Sequence, residues 1–179
     1  EERAVIDAAI EAGARKVYLV ETAVATAIGA GVDIKKADGH MVIDIGGGTT
    51  EIAVVSMGGV AECEAIKIAG SSFDEAIIRY IKKKHNMLIG AKTAEEVKIN
   101  ICGGMPRTDA PDSMEVKGRC LMTGLPKTVS VSSSELIEPL REPAQLILEN
   151  VHAVLERTPP ELIGDLGDNG IIMSGGGSM

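Results

Sequence analysis

Apolar residues along this chain follow two rhythms. His40-Met41-Val42-Ile43-Asp44-Ile45 and Thr50-Glu51-Ile52-Ala53-Val54-Val55-Ser56 are short, aliphatic and nearly continuous. That is the pattern of strands covered on both faces. The stretch 60–68 reads as a third strand with imperfect alternation. Elsewhere apolar positions recur every three or four residues. Val5, Ile6, Ala9 and Ile10 predict a helix over residues 1–12, stopped by Gly13. Val17-Tyr18-Leu19-Val20 reads as a short buried strand, and residues 22–30 as a small-residue helix able to pack closely against a sheet or a neighbouring helix.

Capping boxes mark further helix starts at Ser72-x-x-Glu75, Thr93-x-x-Glu96, Ser132-x-x-Glu135 and Thr158-Pro159-Pro160-Glu161. Pro139 or Pro143 is expected to kink or divide the helix opened at Ser132. Residues 114–120 and 127–131 alternate like antiparallel strands joined through Gly124-Leu125-Pro126, and residues 103–113 read as a loop. Strands interleaved with helices predict an α/β fold.

Gly46-Gly47-Gly48-Thr49 lies between two of the predicted strands, so it forms a tight strand-turn-strand. Glycine lets a backbone approach an anion without a Cβ in the way, and successive N–H groups in such a turn form an anion-binding nest. Asp44 ends the strand before it, where a carboxylate suits Mg2+. A dinucleotide fingerprint needs a third spaced glycine and a following helix, and a Walker loop needs Gly-Lys-Ser/Thr; neither is present here. A plain hairpin turn stays open as the alternative. A second unit, Gly170-Ile171-Ile172-Met173-Ser174-Gly175-Gly176-Gly177, again runs a strand into three glycines. Both loops are expected at strand ends, where α/β sheets bind ligands.

Composition narrows the field. The 179 residues are 45% hydrophobic but only 2% aromatic, so the core must be aliphatic. A net charge of −8 argues against nucleic acid as a partner and against direct attachment to anionic lipid. Lys82-Lys83-Lys84 reads as a solvated helix end. Cys63, Cys102 and Cys120 lack metal spacing and read as buried thiols of a reducing cytoplasm. His40, His85 and His152 stand alone. The first and last residues read as cut edges of one lobe of a longer protein.

The residues together resemble the actin / heat-shock chaperone / sugar-kinase ATPase superfamily, and within it the MreB family of bacterial actin-like proteins. The glycine loop over 42–54 carries the superfamily likeness, with Ala4-Val5-Ile6-Asp7-Ala8-Ala9 and Asp74-Glu75-Ala76-Ile77-Ile78 beside it. Thr123-Gly124-Leu125-Pro126-Lys127-Thr128 and Leu155-Glu156-Arg157-Thr158-Pro159-Pro160-Glu161-Leu162 carry the family likeness. The resemblance implies a ribonuclease-H-like, actin-like ATPase lobe, residues 1–69 plus 142–179, with a smaller α+β subdomain inserted over 70–141. It implies ATP and Mg2+ as cofactors. Gly46, Gly47, Gly48 and Thr49 match the second phosphate loop, with Asp44 near the metal. Gly175, Gly176 and Gly177 match the loop beside the nucleoside, and Glu95, Glu96 and Lys98 the ribose and adenine contacts.

Thr22 and Thr49 are the candidate catalytic positions. The family usually reads Glu-Glu-Pro where this chain has Glu21-Thr22-Ala23, and its glutamate before proline orients the attacking water. A hydroxyl supplies no charge to polarise that water, so slow or altered hydrolysis is expected. The resemblance also implies filaments of self, a RodZ-like membrane partner, the cell-wall synthesis machinery, and a cytoplasmic place at the inner membrane face. A metabolic kinase or phosphatase of the superfamily is the alternative. A chaperone ATPase is disfavoured because a peptide-binding domain is expected there and none is visible in these residues.

Overall fold

The computed structural model describes residues 2–102 and 113–179. Two sheets organise these residues. The first has the order β3-β2-β1-β7, from β1 (His40–Ile45), β2 (Thr50–Ser56), β3 (Gly59–Ile66) and β7 (Ile171–Ser174). β1 pairs antiparallel with β2 and parallel with β7. The second is antiparallel, β4 (Met87–Leu88), β5 (Ser113–Cys120) and β6 (Pro126–Ser132).

The near-continuous apolar runs of β1 and β2 arise because helices cover both faces of the first sheet. On one face, Val42, Ala53 and Val55 pack on Ala23 and Ala27 of α2 (Thr22–Gly29). On the other, Met41, Ile43, Ile45, Ile52 and Val54 meet Ile147, Val151 and Val154 of α5 (Ser133–Arg157) and Leu166 of α6 (Pro160–Asn169). Alanine on α2 lets that helix seat close to the strands, the sheet being the one of the two expected partners that Ala23 and Ala27 meet. Along β3 burial alternates from Val60 to Ile66, and the pairing slips between Val54 and Val55, leaving Ala61 as an extra residue.

The second sheet packs its own core. Ile77 and Ile81 of α3 (Gly70–His85), Val97 and Ile101 of α4 (Ala91–Ile101), and Met87, Val116 and Val131 enclose it. Leu136 of α5 joins this core while Ile147 joins the other. One helix therefore spans both.

Several local expectations need correction. Residues 17–20 form no strand, and Tyr18 and Val20 are exposed; nothing among the described residues supplies a ladder partner. α1 (Glu2–Glu11) likewise has no buried residue. The helices expected at Ser72 and Thr93 begin earlier, at Gly70 and Ala91. The Ser132 box holds: the Ser132 N–H donates to Glu135 Oε1 at 2.6 Å. Neither proline divides α5, whose two halves are each held by a core. Cys63 is exposed on the edge strand, and Cys102 and Cys120 are half-buried rather than buried. The expected loop lies almost wholly outside the described residues.

Candidate functional site

Two glycine loops leave the same end of one sheet. β1 and β7 are parallel neighbours in the register Asp44 to Ser174, so Gly46-Gly47-Gly48 and Gly175-Gly176-Gly177 emerge side by side. The contact is intimate. A Cβ on Gly177 would come within 3.0 Å of the Ile45 carbonyl and 3.2 Å of the Gly46 carbonyl.

The first loop is held from one side only. The Gly46 N–H donates to the Thr49 carbonyl at 2.9 Å, closing the turn. The Gly46 and Gly47 carbonyls accept N–H groups of Gly70 and Ser71 at 3.0 and 2.7 Å. Peptide units are planar, and all here are trans. The Gly47 N–H therefore points opposite the Gly46 carbonyl, and the Gly48 N–H opposite the Gly47 carbonyl. With α3 holding the carbonyls, both N–H groups face away from it. Neither donates to an acceptor among the described residues, and no atom lies within 4 Å of where a Cβ on Gly47 or Gly48 would sit. This is the geometry of an anion nest.

The carboxylates occupy one face. Residues opposite each other in a ladder share a face, so Asp44, Glu51 and Ser174 lie together on the α2 side. Glu51 Oε1 accepts the Ala23 N–H at 3.2 Å, which fixes the N-terminus of α2 there. The exposed Thr22 precedes Ala23, so it too stands at this end of the sheet. Asp44 Oδ1 lies 2.8 Å from where a Cβ on Gly175 would be. Glu51 was not among the residues the sequence singled out, because its place opposite Asp44 depends on the register across the turn. The negative field here also reaches Cys63: burial raises its thiol pKa, and Glu51 and Glu21 raise it further.

The remaining candidates divide. Thr49 is exposed on the loop, whereas Thr50 is buried and its hydroxyl donates to the Ile68 carbonyl at 2.6 Å. Thr50 is thus a structural residue, not an added donor for a ligand. Glu95 and Glu96 are exposed on α4. Lys98 is not free: its Nζ donates to the Gly70 carbonyl at 3.0 Å and lies 2.8 Å from Asp74 Oδ1. Gly70, Ser71 and Asp74 were not singled out as site residues, because their partners lie far away in sequence.

The family profile described as MreB/Mbl protein matches residues 1–179. The chain belongs to the MreB/Mbl family. It is 45% identical over its full length to the cell shape-determining protein Mbl of Bacillus cereus, covering 54% of that protein. It is 44% identical to the cell shape-determining protein MreB of Escherichia coli, again over its full length, covering 51%. The crystal structure of MreB 5 of Spiroplasma citri bound to AMPPNP superposes with a TM-score of 0.96 at 42% identity, over 99% of this chain and 53% of that one. The MamK filament superposes with a TM-score of 0.74 at 21% identity, a likeness of fold. The chain spans about half the length of these MreB/Mbl relatives, and its fold is that of an actin-like lobe. Among the described residues no helix is long and apolar enough to cross a membrane.

Proposed function

We propose that this MreB/Mbl chain is the nucleotide-binding second lobe of an ATP-dependent, filament-forming protein that controls bacterial cell shape and wall synthesis. The observation that carries this reading is the pair of glycine loops at adjacent parallel strand ends, one presenting N–H groups of Gly47 and Gly48 that have no acceptor among the described residues. The related MreB 5 structure bound to AMPPNP supports a nucleotide as the anion. The names of the relatives favour cell shape over a metabolic kinase.

In this reading Gly46, Gly47, Gly48 and Thr49 receive phosphate oxygens, and Gly175, Gly176 and Gly177 lie beside the nucleoside. Glu95 and Glu96 face ribose and adenine from α4. The residues present fit Mg2+: Asp44 is a half-exposed carboxylate at the strand end, with Glu51 opposite it on the same face. The bound ion would neutralise phosphate charge. In this reading the chain divides into 1–69 plus 142–179 and an inserted 70–141, a division that the presence of two separate sheets supports. Partners are other subunits, a RodZ-like membrane protein and the wall-synthesis machinery, met in the cytoplasm at the inner membrane face.

Thr22 and Thr49 supply only hydroxyls for water activation, so hydrolysis by the full-length protein is slow. Single-turnover assays check this: Thr22→Glu raises the rate, whereas a family-typical rate that the substitution leaves unchanged removes the idea. For the function as a whole, sedimentation of the full-length protein is the test. ATP-dependent pelleting is expected; a soluble enzyme phosphorylating a sugar contradicts it.

A further inference from the structure

The phosphate-facing turn owes its orientation to the helix behind it, and a side chain on a different helix holds that helix in place. Gly70 and Ser71 open α3 and grip the Gly46 and Gly47 carbonyls. Lys98 reaches across from α4 to the same point. Its ammonium donates to the Gly70 carbonyl at 3.0 Å and pairs with Asp74 at 2.8 Å. The two side chains are only 20% and 15% exposed. Asp74 Oδ1 accepts no directed hydrogen bond among the described residues, so its buried charge rests on Lys98. There is little slack. A Cβ on Gly70 would stand 3.2 Å from the Gly46 carbonyl oxygen and 3.4 Å from both Gly47 Cα and Lys98 Nζ.

From this geometry we infer that Lys98 is a positioning residue for phosphate, acting through the loop rather than on the nucleoside. The Lys98–Asp74 clamp fixes the N-terminus of α3. That end fixes two carbonyls of the loop. Planar peptides then aim the Gly47 and Gly48 N–H groups outward. Releasing the clamp leaves the donors present but no longer pre-aimed, and pre-aimed donors are what make phosphate binding strong. The inference rests on the nucleotide reading above and replaces a direct ribose or adenine contact for Lys98.

The test is a ligand series, adenosine, ADP and AMPPNP, titrated into full-length protein carrying Lys98→Met, Lys98→Arg or Asp74→Asn. Competition against a fluorescent ADP gives each Kd, and thermal melting confirms that each variant is folded. Lys98→Met and Asp74→Asn weaken ADP and AMPPNP about tenfold while adenosine changes little, and Lys98→Arg recovers much of the loss. Equal losses across the series mean that Lys98 touches the nucleoside and overturn the inference. Tighter ADP binding by Asp74→Asn also overturns it, because it would make Asp74 a repulsive neighbour of phosphate and not part of a clamp. Wild-type protein that binds none of the three ligands overturns the nucleotide reading itself, and this inference with it.

Discussion

Gly46-Gly47-Gly48 and Gly175-Gly176-Gly177 are the same tripeptide at the same end of adjacent strands, and they use glycine for opposite reasons. Around Gly47 and Gly48 there is open space, and their N–H groups have no internal acceptor among the described residues. Gly175 has φ +86°, and a Cβ there would overlap the Ile45 carbonyl while crowding Asp44 Oδ1. On the proposed function, the first loop needs glycine for what comes from outside. The second needs it so that the chain can lie against the first. On that same proposal, identical sequence thus serves phosphate binding in the first loop and close packing beside the nucleoside in the second, and only the surroundings tell them apart.

The comparison breaks most readily at Gly175. Gly175→Ala should destabilise the protein by about 2–4 kcal/mol, since it combines a strained φ with overlap against backbone. Gly47→Ala should cost less than about 0.5 kcal/mol. Urea denaturation of both variants checks this; equal shifts would erase the distinction. The next largest effect is on ligand. Gly47→Ala and Gly48→Ala should weaken ADP about tenfold, a little over 1 kcal/mol, by placing a methyl where phosphate approaches; equilibrium titration measures it.

A third experiment sharpens the contrast by perturbing a place that neither loop touches. Burial raises the Glu135 pKa, but hydrogen bonds from Lys84, the Ser132 N–H and Tyr80 outweigh it and leave the carboxyl below its ordinary 4.5. A depressed folded pKa stabilises the fold above the unfolded value, and that contribution fades as pH falls through the folded one. Wild-type stability should therefore fall on acidification below about pH 5, and Glu135→Gln should flatten that fall; paired urea melts at several pH values measure it, with ADP affinity at neutral pH unchanged. The smallest effect is chemical. Burial pushes the Cys102 thiol up to about 12, whereas a hydrogen bond from the Thr123 hydroxyl lowers that of Cys120. Alkylation at mildly alkaline pH should modify Cys120 first and spare Cys102 in the folded protein, as peptide mass spectrometry would report.

Features written locally were legible in the sequence. The near-continuous strands 40–45 and 50–56, both glycine turns and the Ser132–Glu135 box depend on neighbours in the chain. What failed depended on distant partners. The apolar run 17–20 announced a wish to be covered but not what would cover it. Ser72 sits inside its helix, where its hydroxyl accepts the Ala69 N–H at 3.4 Å, so its box marked the wrong residue as the start. The roles of Glu51 and Lys98 arise from contacts 28 residues away, to Ala23 and Gly70, which no spacing rule encodes. Of the candidate site, the loops and Asp44 could be read directly, and the framework that aims them could not.

The most direct test of the account is a crystal structure of the full-length protein with AMPPNP. Phosphate oxygens should lie within hydrogen-bonding distance, roughly 2.7–3.2 Å, of the Gly47 and Gly48 nitrogens, with the Gly46 and Gly47 carbonyls still turned toward α3. A nucleotide whose phosphates sit elsewhere while those two N–H groups face protein or solvent would contradict it.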